Sequence, residues 1–120
     1  MRRLALTMAI SAFAAGTALA AAAPYVGTWS RERLNCSAAA DVQRRTVYTV
    51  DQTALSLPEF GCERATFRKS ASGWVVQASQ CYGSDPSLDE PFSRVIHIVK
   101  QGATVRFTWP GFDSGPLVRC

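Results

Sequence analysis

The chain has 120 residues, 48% of them hydrophobic and 18% charged, with a formal net charge of +4 and four cysteines. The length suits a single compact domain and excludes two. The 13 Lys and Arg residues are scattered among nine acids, without the basic stripe that a nucleic-acid partner or an anionic membrane surface calls for.

The opening segment MRRLALTMAISAFAAGTALA places Arg2 and Arg3 before an uncharged apolar run and ends in the small-x-small triplet Ala18-Leu19-Ala20. That order is the pattern of a secretory signal peptide, with cleavage expected after Ala20 and Ala22 as the nearest competing site. Loss of residues 1–20 leaves 100 residues, 21–120, as a single β domain, and it lowers the formal charge to +2 because Arg2 and Arg3 leave with the signal. The mature chain is expected in the periplasm or the medium, with no membrane insertion.

Strand-like segments then follow at short, regular intervals: Tyr25–Ser30, Thr46–Val50, Ala54–Leu57, Glu63–Lys69, Trp74–Ser79, Phe92–Lys100, Val105–Trp109 and Leu117–Cys120. Gly, Pro, Ser and Asp separate them, as turns between short strands require. The helical candidate is Ser37–Arg45, with Ser37 as a cap and a poor apolar stripe. The Arg44-Arg45 pair reads as a solvated entrance to the next strand.

Two hairpins have a testable register. With a turn over Ser70–Gly73, Lys69 faces Trp74, Phe67 faces Val76, Ala65 faces Ala78 and Cys62 faces Cys81. Apolar side chains then share one face, and Arg64, Thr66, Arg68, Gln77 and Ser79 share the other. Around Gln101-Gly102-Ala103, the second hairpin turns Ile96, Ile98, Val105, Phe107 and Trp109 inward, and His97, Val99, Arg106 and Thr108 outward, in either of two even registers. A run of such strands closes most economically as a small antiparallel up-and-down barrel or a strongly curled sheet, all-β, with Trp29, Trp74, Trp109, Phe67, Phe107 and Ile96 in one interior.

Cys36, Cys62, Cys81 and Cys120 are separated by 25, 18 and 38 intervening residues, unlike the close pairs of a zinc site, and an even count in an exported domain of this size predicts two disulfides. The hairpin register favours Cys62 with Cys81, which leaves Cys36 for Cys120 at the seam between the first and last strands. A bulge near Gly61 would instead permit Cys36 with Cys62 and Cys81 with Cys120.

Enzymatic chemistry finds little to work with. The single histidine, His97, lies on the polar face of a strand beside Arg106, with no carboxylate in register to orient it as a base. Asp85, Asp89 and Glu90 cluster in SDPSLDEP between two prolines, a solvated connection without the spacing of a calcium loop. Glu59 and Glu63 flank Phe60-Gly61-Cys62 in a further loop. No phosphate loop, dinucleotide fingerprint or nucleophile elbow is present. The chain is read as non-enzymatic, with no catalytic residue, no metal ligand and no cofactor, and no residue is assigned to a ligand.

Tyr25-Val26-Gly27-Thr28-Trp29, Cys36, Phe60-Gly61-Cys62-Glu63, Gly73-Trp74, Cys81 and the final Leu117-Val118-Arg119-Cys120 resemble small exported four-cysteine proteins of Gram-negative bacteria, a group of uncharacterised activity with a GTW opening and a terminal Arg-Cys. The Gly27-x-Trp29 element is also similar to the opening of lipocalin-type barrels and of the small barrels that inhibit secreted metalloproteases. The inhibitor resemblance implies that residues ahead of the barrel, Ala21, Ala22, Ala23, Pro24 and Tyr25, would enter a protease cleft. The expected function is an exported binding module of the inhibitor type, whose partner would be a periplasmic or secreted protein. A carrier of a small apolar ligand and an envelope interaction protein are the alternatives.

Overall fold

Alternating apolar and polar residues force each segment of this chain to bury one face, and the computed structural model shows how they share a single interior. It describes residues 23–83 and 90–120. In chain order these form β1 (Gly27–Ser30), a 3-10 turn (Arg33–Ser37), α1 (Ala40–Thr46), β2 (Val47–Val50), β3 (Leu55–Ser56), β4 (Phe60–Ser70), β5 (Gly73–Gly83), β6 (Phe92–Gln101), β7 (Thr104–Trp109), β8 (Phe112–Asp113) and β9 (Val118–Arg119). Among the described residues the strands make one antiparallel sheet in the order β8-β7-β6-β5-β4-β3-β2-β1-β9. The signal-peptide reading of residues 1–20 and the acidic residues Asp85 and Asp89 lie outside the described residues.

The sheet curls until its two sides meet across the C-terminal segment. Arg119 and Val118 pair with Trp29 and Ser30 of β1, while the preceding residue, Leu117, exchanges two backbone hydrogen bonds of 3.1 and 2.8 Å with Val105 of β7. First and last strands are therefore neighbours, as a curled meander requires. Val76, Cys81, Ile96, Phe107 and Leu117 lose all solvent contact, and the three tryptophans are buried with them. Phe67 is only half-buried, with Tyr25 stacked on it at 4.2 Å.

The expected β4–β5 register holds, and β6–β7 sorts its faces as expected. In β4–β5, Lys69 faces Trp74, Phe67 faces Val76, Ala65 faces Ala78 and Cys62 faces Cys81. In β6–β7, Ile98 faces Phe107 and His97 faces Thr108. Gly73 is needed at the first turn because its φ of +155° lies where side-chain-bearing residues rarely go, and a Cβ there would collide with the Ile98 carbonyl oxygen of β6. The register irregularity does not fall at Gly61. It falls on β5 between Ala78 and Cys81 against β6, where Gln80 takes a φ of +52°, so the extra residue is absorbed on the far side of β5 and Cys62 stays opposite Cys81. The disulfides are Cys62–Cys81 and Cys36–Cys120, with Cα atoms 3.9 and 5.6 Å apart.

Two local readings are corrected. The helix begins at Ala40, with Ala39 at its N-cap and no side-chain cap, and Ser37 instead ends the 3-10 turn. Cys36 is held by Cys120, so the chain must complete a tight turn around that bond before a helix can start. Arg44 and Arg45 accordingly occupy the last turn of α1, where cations complement the helix dipole. Strand β8, two residues long, has no periodic pattern in the sequence; it folds back on β7 through Pro110-Gly111, with Gly111 at φ +87°, the conformation a type II turn demands of its third residue.

Candidate functional site

The residues singled out for chemistry do not converge. His97 is exposed and paired in register with Val75 and Thr108, and Arg106 sits further along the hairpin, opposite Val99. The Arg106 guanidinium instead lies 3.5 Å from the Asp113 carboxylate of β8. Glu90 and Glu63 are exposed. Among the described residues no three His, Cys, Asp or Glu side chains come together as a metal site, and no helix is long and apolar enough to cross a membrane. The two disulfides fit an oxidising, extracytoplasmic environment.

What does converge lies at the two ends of the curled sheet. At one end the start of the described chain folds across the interior. Tyr25 stacks on Phe67 and meets Trp74 edge-on at 5.2 Å, and the indole N–H of Trp29 donates to the Tyr25 carbonyl at 3.2 Å. Arg119 lies over Trp29, 4.3 Å from its ring centre, and donates to the carbonyls of Val26 and Pro24. The terminal Arg-Cys thus fastens both ends of the domain to one tryptophan, by stacking, hydrogen bonds and the neighbouring disulfide. A cleft of ≈ 390 Å³ opens beside it.

The opposite end is aromatic. Phe60, Phe92, Trp109 and Phe112 pack against one another, with Trp109 and Phe112 stacked at 4.1 Å. Arg94 enters this cluster, its guanidinium 4.9 Å from the ring centre of Phe60 and 5.1 Å from that of Phe92. In the sequence, the strand parity of Arg94 with Ile96 and Ile98 is the signal that marks it as a charge on the core face. Nearby, the Tyr48 hydroxyl donates to the Glu59 carboxylate at 3.4 Å. On the outer side of this end, α1 and β2–β5 frame a groove of ≈ 650 Å³ that reaches from Arg44 to Tyr82.

Burial pushes the Glu59 carboxyl above its ordinary value, partly offset by its own backbone amide, the Tyr48 hydroxyl and the Arg31 charge. Burial, reinforced by Glu59, likewise raises the Tyr48 phenol. Because the folded state holds the Glu59 proton more tightly than the unfolded chain does, this group's contribution to stability is present at low pH and is lost as pH rises through its titration. Glu59→Gln, which keeps an acceptor for Tyr48, is therefore expected to match the parent near about pH 3 and to melt above it near about pH 7. Melting curves across that range check the sign, and a variant that loses ground as pH rises would contradict it.

No family model, curated protein or solved structure matches this chain.

One segment stands out from the surface. Leu34 is 81% exposed at the crest of the 3-10 turn. Its surroundings are fixed: Cys36 is bonded to Cys120, Arg31 donates to the Ser114 carbonyl at 2.8 Å, and Asn35 donates to the buried Ser30 hydroxyl at 3.4 Å. An apolar side chain is thus held in water by a covalently tied turn.

Proposed function

We propose that this protein is an exported, non-enzymatic binding module that engages another periplasmic or secreted protein in the manner of an inhibitor. The observation that carries the reading is Leu34, 81% exposed on a turn that the Cys36–Cys120 bond immobilises. Single exposed apolar residues are ordinary on protein surfaces. Leu34 differs in being presented by a segment whose ordering cost has already been met during folding, which is where binding energy concentrates.

The packing supports recognition on the outside of the sheet. Interior positions carry side chains with no solvent contact, Phe107, Ile96, Val76 and Leu117 among them, so a carrier function would need a site other than the centre of the fold. Of the residues that the inhibitor resemblance assigns to a protease cleft, Ala21 and Ala22 lie outside the described residues, and Pro24 and Tyr25 make contacts within the domain. Tyr25 is committed to Phe67 and Trp74, and the carbonyls of Pro24 and Val26 to Arg119. The projecting element is the turn after β1.

Immobilised oxidised protein, exposed to periplasmic and culture-medium fractions, is expected to retain a specific protein whose recovery falls at least about tenfold with Leu34→Asp, the loss typical of a central anchor. Leu34 faces solvent, so the variant should melt with the parent. Retention that ignores the Leu34 change would overturn the reading.

A further inference from the structure

We propose that the cleft between the β6–β7 turn and the C-terminal strand binds a small amphiphilic organic anion, a carboxylate carrying a short apolar tail. This goes beyond the protein-binding reading and does not depend on it. The cleft encloses ≈ 390 Å³, and the residues that line it divide into two sets. Arg33, Lys100 and Arg119 supply positive charge, while Trp29, Trp74 and Val105 supply an apolar wall continuous with the core. Among the described residues, no acidic side chain lines it.

The three cations are not neutralised by one another's partners. Arg119 donates to the carbonyls of Val26 and Pro24, Arg33 donates to the Arg119 carbonyl at 3.4 Å, and Lys100 donates to the Gly102 carbonyl at 2.5 Å. Each of these acceptors is a neutral backbone group. Among the described residues, the ion pairs are Arg45 with Asp41 and Arg106 with Asp113, and neither includes a cation of this cleft. Three like charges around a low-dielectric wall focus a positive potential into the space between them, and that arrangement favours an anion.

The walls decide which anion. An inorganic ion would satisfy the charges and leave the edges of Trp29, Trp74 and Val105 that line the cleft without an apolar partner. An uncharged lipid would fill the space and leave the charges unmet. A carboxylate with a tail of a few carbons does both, with its head between Arg33 and Lys100 and its tail against the indoles. The volume lies at the low end of the range for ligand sites, about 300–1,000 Å³, and has room for a short-chain carboxylate such as octanoate. Arg119 has a second duty, since it fastens the chain start to Trp29. Arg33 and Lys100 carry no such load.

Isothermal titration of the oxidised protein with octanoate, octanol, octylammonium and inorganic phosphate tests the assignment. Octanoate is expected to bind with one-to-one stoichiometry, at least about tenfold tighter than octanol or phosphate, with octylammonium giving no saturable heat. The double variant Arg33→Gln/Lys100→Gln is expected to weaken octanoate by at least about tenfold while melting with the parent. Equal affinity for octanol and octanoate would remove the charge from the argument, and equal affinity for phosphate would remove the tail; either result overturns the proposed ligand class. Unchanged octanoate binding by the double variant, or no saturable binding of octanoate, would overturn the site altogether.

Discussion

Replacing Cys36 and Cys120 together with serine is expected to remove about 4 to 5 kcal/mol of stability, the largest effect of any single bond in the fold. The bond joins residues 84 apart in sequence, and in the chain-entropy account a cross-link stabilises by restricting the unfolded ensemble, more so for longer loops. Cys62–Cys81, with a separation of 19, is nested within that loop and is worth about 3 kcal/mol on the same basis. The nesting shortens the outer loop's free contour, but the logarithmic dependence makes that correction only about 0.2 kcal/mol. The outer bond also does something that loop length does not capture. Cys120 follows Arg119, so the bond holds the strand whose side chain covers Trp29 and whose neighbour Leu117 pairs with β7. Loss of the bond therefore exposes the seam of the sheet as well as enlarging the unfolded ensemble. Using the double serine variant avoids a free thiol that would exchange with Cys62–Cys81. Thermal melting should shift down by at least about 15 °C. A shift of a few degrees would mean that the β1–β9 and β7 pairings hold the seam without help.

Phe107→Ala is expected to cost about 3 to 5 kcal/mol, the range for emptying a buried aromatic site. Phe107 has no solvent contact. It faces Ile98 across the β6–β7 hairpin and meets the ring of Tyr48 at 5.2 Å from the other side of the interior. Its backbone is equally engaged: its amide donates to the Ser114 hydroxyl at 2.9 Å, and its carbonyl accepts from the Ser114 amide at 3.0 Å. Neighbouring segments on both sides hold the backbone in place, so the walls cannot collapse into the vacated space, and the cavity penalty adds to the lost transfer energy. Phe107→Leu keeps most of the volume and should cost much less, within about 1 to 2 kcal/mol. Urea unfolding of the two variants separates the explanations. Equal losses for Ala and Leu would point to ring-specific contact with Tyr48, whereas the expected graded losses point to volume.

Much of this fold is legible along the chain because strand parity is a local property. Every second residue of a strand faces the same way, so the order of residues alone sorts Phe67, Ala65, Trp74, Val76 and Ala78 onto one face, and a slip by one residue would undo the agreement. That register places Cys62 opposite Cys81, and subtraction then assigns Cys36 to Cys120. Parity also places His97 outside, and it marks Arg94 as an inward charge by the same alternation.

Other features depend on pairings between residues distant in sequence, and these only the tertiary structure decided. Strand β8 has two residues, too few for a periodic pattern, and exists because the Pro110-Gly111 turn returns Phe112 to Trp109. The start of α1 was displaced by a covalent bond to the far end of the chain. The Arg119–Trp29 stack, the Glu59–Tyr48 contact and the basic cleft beside Arg33 and Lys100 join segments that carry no mark of each other. Such contacts are set by how far the sheet curls before its sides meet. That curl is the accumulated twist of all the strands and the bulge at Gln80, a property of the assembled sheet that no one of its strands contains.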